Sequence, residues 1–133
     1  MEIHHIGYLV TDIKKSEKQF ISCGYETEQE TMYDPLRDAD IEFLLNGDYR
    51  VELIAPRKQS DLYRLLSRFK NAPYHICYLV DDLEQAIEEY KSMHFVVADP
   101  PMEAPCIEGR RVTFLNTSGM GMIELLEKEK PVI

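Results

Sequence analysis

Two histidines and two glutamates recur at matched places in this chain. Tyr74-His75-Ile76-Cys77-Tyr78-Leu79-Val80-Asp81-Asp82 repeats His4-His5-Ile6-Gly7-Tyr8-Leu9-Val10-Thr11-Asp12 at an offset of 70, and Met122-Ile123-Glu124-Leu125-Leu126-Glu127 repeats Arg50-Val51-Glu52-Leu53-Ile54-Ala55 at an offset of 72. Offsets that nearly agree mean one module of about 60 to 70 residues present twice. Each copy offers one histidine and one glutamate. Facing copies would bring two imidazoles and two carboxylates to one point, a donor set suited to a divalent ion of the zinc, nickel, cobalt or manganese group. A lone strand histidine is ordinarily a hydrogen-bonded structural residue. A strand glutamate flanked by Val, Ile and Leu is costlier, because an unpaired buried carboxylate is penalised by several kcal/mol. No Lys or Arg repeats in register with these two glutamates, which makes a metal the simplest counter-charge.

Strand alternation decides where the four side chains point. Ile6, Tyr8 and Val10 share one face of their strand and His5, Gly7 and Leu9 the other; Ile76, Tyr78 and Val80 oppose His75, Cys77 and Leu79 in the same way. If the bulky faces pack on helices, His5 and His75 lie opposite. Val51 and Leu53, like Ile123 and Leu125, then face the helices, which places Glu52 and Glu124 with the histidines. His4 faces away from His5, His94 falls at a helix end, and Cys77 reads as core packing.

The elements that must carry these residues follow from periodicity and punctuation. Ile3 to Val10 reads as a strand. Asp12 caps a helix with Ile13, Phe20 and Ile21 on its buried face, and Gly24 stops it in a left-handed turn. A strand from Tyr25 to Glu30 and a polar loop with Asp34, Pro35, Asp38 and Asp40 follow. The strands Ile41 to Leu45 and Tyr49 to Ile54 form a hairpin across Asn46-Gly47-Asp48. Ser60 starts a linking helix with an apolar stripe of Leu62, Leu65, Leu66 and Phe69. The second copy runs in the same order: a strand at 74–80, an Asp82-capped helix with Leu83, Ala86, Ile87 and Tyr90, and a strand from Phe95 to Ala98. A hairpin of Arg111 to Leu115 with Gly121 to Leu126 completes it. Between them, Asp99 to Gly109, with three prolines, reads either as a lid over the site or as an ordinary surface connection. Glu127 to Ile133 reads as a tail. The chain is thus expected to be a single domain, residues 1–133, built of module 1–56, linker helix 57–73 and module 74–127.

Composition narrows the function. A chain of 133 residues supports one compact domain or two closely packed halves. A net charge of −9 argues against nucleic acid and anionic membrane surfaces as partners, since both require a basic footprint. No apolar run reaches the roughly 20 residues of a membrane span, and no signal-like segment opens the sequence, so a cytoplasmic protein is expected. Three cysteines without CxxC spacing, Cys23, Cys77 and Cys106, read as reduced thiols.

The motifs His5-Ile6-Gly7-Tyr8-Leu9-Val10, Tyr49-Arg50-Val51-Glu52-Leu53-Ile54-Ala55-Pro56, Tyr74 to Asp82, Gly109 to Leu115 and Ile123-Glu124-Leu125-Leu126-Glu127 resemble the vicinal oxygen chelate superfamily across nearly the entire chain. The branches most similar are glyoxalase I (lactoylglutathione lyase) and methylmalonyl-CoA epimerase. The resemblance implies an α+β fold of two paired β-α-β-β-β modules forming a cupped mixed sheet around one divalent ion (Zn, Ni, Co or Mn). It also implies a homodimer. The implied ligands are His5, Glu52, His75 and Glu124, the same four that alternation selects. The chemistry implied is that of an isomerase or lyase that removes a proton beside a metal-chelated carbonyl, with Glu124 as base, Glu52 as opposite-face acid/base, and a thioester or hemithioacetal as substrate. Arg50, on the face of Glu52, is either a candidate for an anionic group on the substrate or a surface charge at the hairpin end; Arg110 and Arg111 are weaker candidates. A glutamate at position 52 resembles glyoxalase I, whereas Asn116-Thr117-Ser118-Gly119-Met120-Gly121 and Gly109-Arg110-Arg111-Val112 look more like the epimerase. The epimerase's second carboxylate aligns near Asp34 and Pro35. Two alternatives within the superfamily are a metal-free small-molecule or antibiotic-binding protein, which would not need four matched ligands, and an Fe(II) extradiol dioxygenase, which a fourth protein ligand would crowd.

Overall fold

The structure is a computed structural model that describes residues 1–128; the expected tail beyond Lys128 lies outside them, and Glu127 itself closes the last strand. The elements are β1 (Ile3–Leu9), α1 (Ile13–Ser22), β2 (Glu26–Asp34), β3 (Ala39–Asn46), β4 (Tyr49–Pro56), a 3-10 turn (Tyr63–Leu65) running into α2 (Leu66–Phe69), β5 (Ala72–Val80), α3 (Leu83–Ser92), β6 (Val96–Ala104), a second 3-10 turn (Pro105–Ile107), β7 (Arg110–Thr117) and β8 (Gly121–Glu127). This is the β-α-β-β-β order twice in an α+β fold, as the sequence led one to expect. In each copy the first strand runs parallel to the last, Ile6 opposite Val51 and Ile76 opposite Ile123, while the others pair antiparallel. Packing divides the chain into two units, one of His5–Tyr74 and one of Met1–His4 with the chain from His75 onward.

In the first unit the strands lie in the order β2-β3-β4-β1. The Asp12 carboxylate accepts from the Lys15 amide at 3.1 Å and starts α1. Ile13 and Phe20 pack with Tyr8, Val10, Leu44, Val51 and Leu53, so Val51 and Leu53 do face the helix. Ile21, expected on that face, is exposed instead. It stands one residue, or 100°, past Phe20, outside the stripe that Ile13 and Phe20 define. Asn46 pairs with Tyr49 across the two-residue turn Gly47-Asp48, and Gly47 takes the positive φ of 61° that such a turn needs.

Two segments of this unit differ from expectation. β2 continues to Asp34, and the polar loop shrinks to a tight turn in which Asp34 Oδ1 accepts from the Leu36 and Arg37 amides at 2.9 and 3.2 Å. The linker is a 3-10 turn and one turn of α-helix, not a continuous helix. Ser60 turns the chain there by donating to the Arg37 carbonyl and accepting from the Leu62 amide, a bond two residues ahead that favours a turn over a helix cap.

The second unit repeats the plan in the order β5-β8-β7-β6. Asp82 caps α3 through the Gln85 amide at 3.0 Å, and Leu83, Ala86 and Ile87 pack on Val80, Leu115, Ile123 and Leu125. The proline-rich segment is not an open loop, which overturns the lid reading. β6 runs to Ala104, pairing with β7, and Ala104, Cys106 and Ile107 are buried. Pro100 and Pro101 fall where the register slips between Asp99 and Met102, a bulge on a strand that pairs only with β7 among the described residues. There a missing N–H costs little. β2 slips at the same place, between Gln29 and Met32, so the bulge belongs to the module and the prolines merely occupy it.

Candidate metal centre

Each unit builds one histidine and glutamate pair from the same parts. In the first, β1 and β4 bring Gly7 beside Glu52, and His5 Nε2 stands 3.1 Å from Glu52 Oε1. In the second, β5 and β8 bring Cys77 beside Glu124, and His75 Nε2 stands 3.2 Å from Glu124 Oε1. Because Val51, Leu53, Ile123 and Leu125 are committed to the helices, alternation sends the glutamates to the other face. His5, Glu52, His75 and Glu124 are only 1%, 5%, 3% and 3% exposed. Carboxylates this deep need a positive or donating partner.

A phenylalanine, unflagged by the sequence reading, supports each pair. Phe43 lies opposite Glu52 on β3 and meets the His5 ring edge-on, centroids 5.5 Å apart at 80°; Phe114 lies opposite Glu124 and meets His75 at 5.2 Å and 86°. Such a contact restricts the imidazole's rotation and keeps Nε2 on its glutamate. The signal was present, since Phe43-Leu44 and Phe114-Leu115 match at an offset of 71.

The pairs fit a metal in spacing and in chemistry. Two ligands each about 2.0 to 2.2 Å from one ion stand roughly 3 to 3.5 Å apart. An imidazole nitrogen and a carboxylate oxygen are donors for the zinc and nickel group.

Each candidate cation has a protein partner. Arg50 forms a two-bond fork with Glu28 at 2.8 and 2.9 Å. Arg110 donates to the Glu127 carbonyl at 3.1 Å. Arg111 bridges Glu84 and Glu127, whose carboxylates raise its already high pKa. Asp34, the candidate second carboxylate, accepts from Arg37 at 2.9 Å and caps its own turn. Cys77 is fully buried.

A further carboxylate escaped the sequence reading. Glu42 on β3 is fully buried, opposite Leu53 and therefore on the helix side, away from His5 and Glu52. Burial, then a hydrogen bond with the Glu17 carboxylate, pushes its pKa up to about 7, against the Thr31 hydroxyl that donates to it at 2.7 Å. Its position between Ile41 and Phe43 was the available clue.

Comparison with known proteins adds the family. A family model described as the Glyoxalase/Bleomycin resistance protein/Dioxygenase superfamily matches residues 4–114. A curated relative, the uncharacterized protein YwkD of Bacillus subtilis (strain 168), is 25% identical over 131 residues, covering 95% of this chain and 96% of its own. Among solved structures, a hypothetical protein of Bacillus halodurans C-125 superposes with a TM-score of 0.85 at 24% identity, over 99% of this chain and 97% of that one. The methylmalonyl-CoA epimerase of Mycobacterium tuberculosis gives 0.82 at 16% identity over 96% and 88%. A variant of the Streptomyces coelicolor methylmalonyl-CoA epimerase, in complex with 2-nitronate-propionyl-CoA, gives 0.81 at 20% identity over 98% and 99%. At these identities the superpositions show the fold.

Proposed function

The chain belongs to the glyoxalase/bleomycin resistance protein/dioxygenase superfamily, as its motifs implied, and from that premise we propose that it is a divalent-metal-dependent isomerase or lyase of glyoxalase I or methylmalonyl-CoA epimerase type. The observation that carries this reading is the duplication of a buried histidine and glutamate pair at equivalent register positions of both modules. A fold needing only a core would not place two carboxylates in such sites. His5, Glu52, His75 and Glu124 would hold one ion, two ligands coming from each module. When bound, the ion withdraws charge from a chelated carbonyl and so acidifies the adjacent carbon.

The chain's own groups then do the proton work. Glu124 takes the proton from that carbon as a carboxylate base. Glu52, from the other module, returns a proton on the opposite face, which inverts the carbon in an epimerase or moves the proton to the neighbouring carbon in a lyase of glyoxalase type. Phe43 and Phe114 hold His5 and His75 in place and exclude water beside them. Arg50, and second to it Arg110, contact an anionic group of the substrate. The substrate class is a thioester or hemithioacetal, and the assembly is a homodimer.

Solvent exchange of the acidic hydrogen tests this. Zn-, Ni-, Co- and Mn-loaded protein is incubated in D2O with methylmalonyl-CoA, and separately with the hemithioacetal of methylglyoxal and a thiol. Deuterium enters one of the two, and E124Q reduces its rate by about 10² or more. No exchange with either substrate under any of the four metals contradicts the proposal.

A further inference from the structure

The Arg50 and Glu28 fork is present in one module and absent from its copy. Arg50 lies on the same face of β4 as Glu52, two residues or about 7 Å along the strand. Glu28, from β2, reaches across β3 to take its Nε and one terminal nitrogen at 2.8 and 2.9 Å. The two modules match here residue for residue. Thr27 and Gln29 pair with Leu44 and Phe43 as Val97 and Asp99 pair with Leu115 and Phe114, so Glu28 and Ala98 occupy the same bulge. Leu45 pairs with Arg50 as Asn116 pairs with Met122. The second module therefore builds the same strands with Ala98 and Met122 where the first has a charged pair. Topology does not need the fork.

Stability does not explain it either. The side chains are 27% and 30% exposed, and ion pairs in that range contribute between nothing and about 1 kcal/mol. What the fork does is fix the plane of a guanidinium on the strand and face that also carry Glu52. A guanidinium is planar and presents N–H donors along more than one edge, so orientation by Glu28 is compatible with recognition of a second oxyanion.

We propose that Glu28 is a positioning residue that holds Arg50 in the plane needed to grip a carboxylate or phosphate carried by the chelated substrate, which makes this site selective for anionic substrates. The inference rests on the metal-chelate function proposed above and deepens it. Because the copy has no counterpart, the anionic group lies on the first module's side, and the substrate has one orientation in an otherwise duplicated frame.

Three hydroxamates that share one chelating head separate the two ideas: neutral acetohydroxamate, the hydroxamate of malonic acid with a free carboxylate, and phosphonoacetohydroxamate. Their dissociation constants are measured by calorimetry on the zinc-loaded protein. The parent binds at least one anionic probe about tenfold or more tightly than the neutral one, and the better of the two identifies carboxylate or phosphate as the preferred group. R50Q brings the ratio close to one, and E28Q lowers it to an intermediate value while a merely structural role would shift all three affinities together. A ratio that survives R50Q overturns the anion site, and a ratio unchanged in E28Q overturns the positioning role. Acetohydroxamate failing to bind the metal-loaded parent overturns the chelate reading itself, a result distinct from loss of anion preference alone.

Discussion

The carboxylates of this chain divide by what faces them. Glu52 and Glu124 each meet an imidazole, whereas Glu42 meets a second carboxylate, Glu17 from α1, with Lys14 Nζ 3.9 Å away and the Thr31 hydroxyl from β2 as its donor. Two carboxylates form a hydrogen bond only when one holds a proton, and the buried one holds it. Glu17 is accordingly lowered, first by that bond and then by Lys14 and Lys18, against a rise from its own burial. The folded state raises Glu42 from 4.5 to about 7. A raised acid stabilises fully below its unfolded value and loses that contribution as pH climbs through the folded one. The protein should therefore lose stability from this group as pH rises between about 4.5 and 8. Glu42→Gln supplies a permanent donor to Glu17 and removes the dependence. Urea unfolding of both proteins at pH 5 and pH 8 checks this: the parent's stability falls relative to E42Q, and parallel behaviour would remove the shared proton. Alternation exposed Glu52 and Glu124 in the sequence because a repeat doubled the signal. Glu42 had no such help, since its copy is Thr113, whose hydroxyl finds the Asp99 carbonyl at 2.6 Å instead.

Elements were legible where local chemistry alone decides them and misread where pairing partners decide. Asp12 and Asp82 set both helix starts, and the Gly47 turn sets its hairpin, because capping and turn geometry involve neighbours in sequence. The prolines of β6 and the polar residues of β2 looked like loops. Only pairing with β7 and β3, with two register shifts in each pairing, makes them strands. The linker was overread, because its leucine stripe is real but Ser60 diverts the chain before a helix can extend. The helix exits offer an internal comparison. Gly24 and His94 hold equivalent left-handed positions, at φ 99° and 70°. His94→Gly should stabilise by up to about 1 kcal/mol, since a non-glycine residue is strained there, and Gly24→Ala should destabilise by a similar amount. A Cβ at Gly24 meets nothing closer than Asn46 Nδ2 at 3.5 Å, so backbone strain alone would account for its loss. Thermal unfolding reads both, and a His94→Gly protein less stable than the parent would contradict the strain argument.

Across the whole molecule, the duplicated module ties sequence to site. At a net charge of −9, with no helix among the described residues long and apolar enough to cross a membrane, the chain has little that suits a polyanion and a set of carboxylates that suits a cation. A metal held by both modules would also stabilise the folded chain in proportion to its occupancy, because the unfolded chain lacks the site. Neither pair alone offers the three or four protein ligands usual for such ions. The sequence could nominate the four residues from repetition and alternation. It repeated Phe43 and Phe114 without giving them a role and gave no signal for Glu28, because all three act through what lies across a strand. The most direct test of the central claim is metal content per chain, by mass spectrometry after loading with zinc and removal of excess, for the parent, H5A, E52Q, H75A and E124Q. The account predicts about one ion per parent chain and severe loss in every variant, since each removes a ligand from a single shared centre. Full metal content in both E52Q and E124Q, or two ions per parent chain with each variant losing only one, would contradict it.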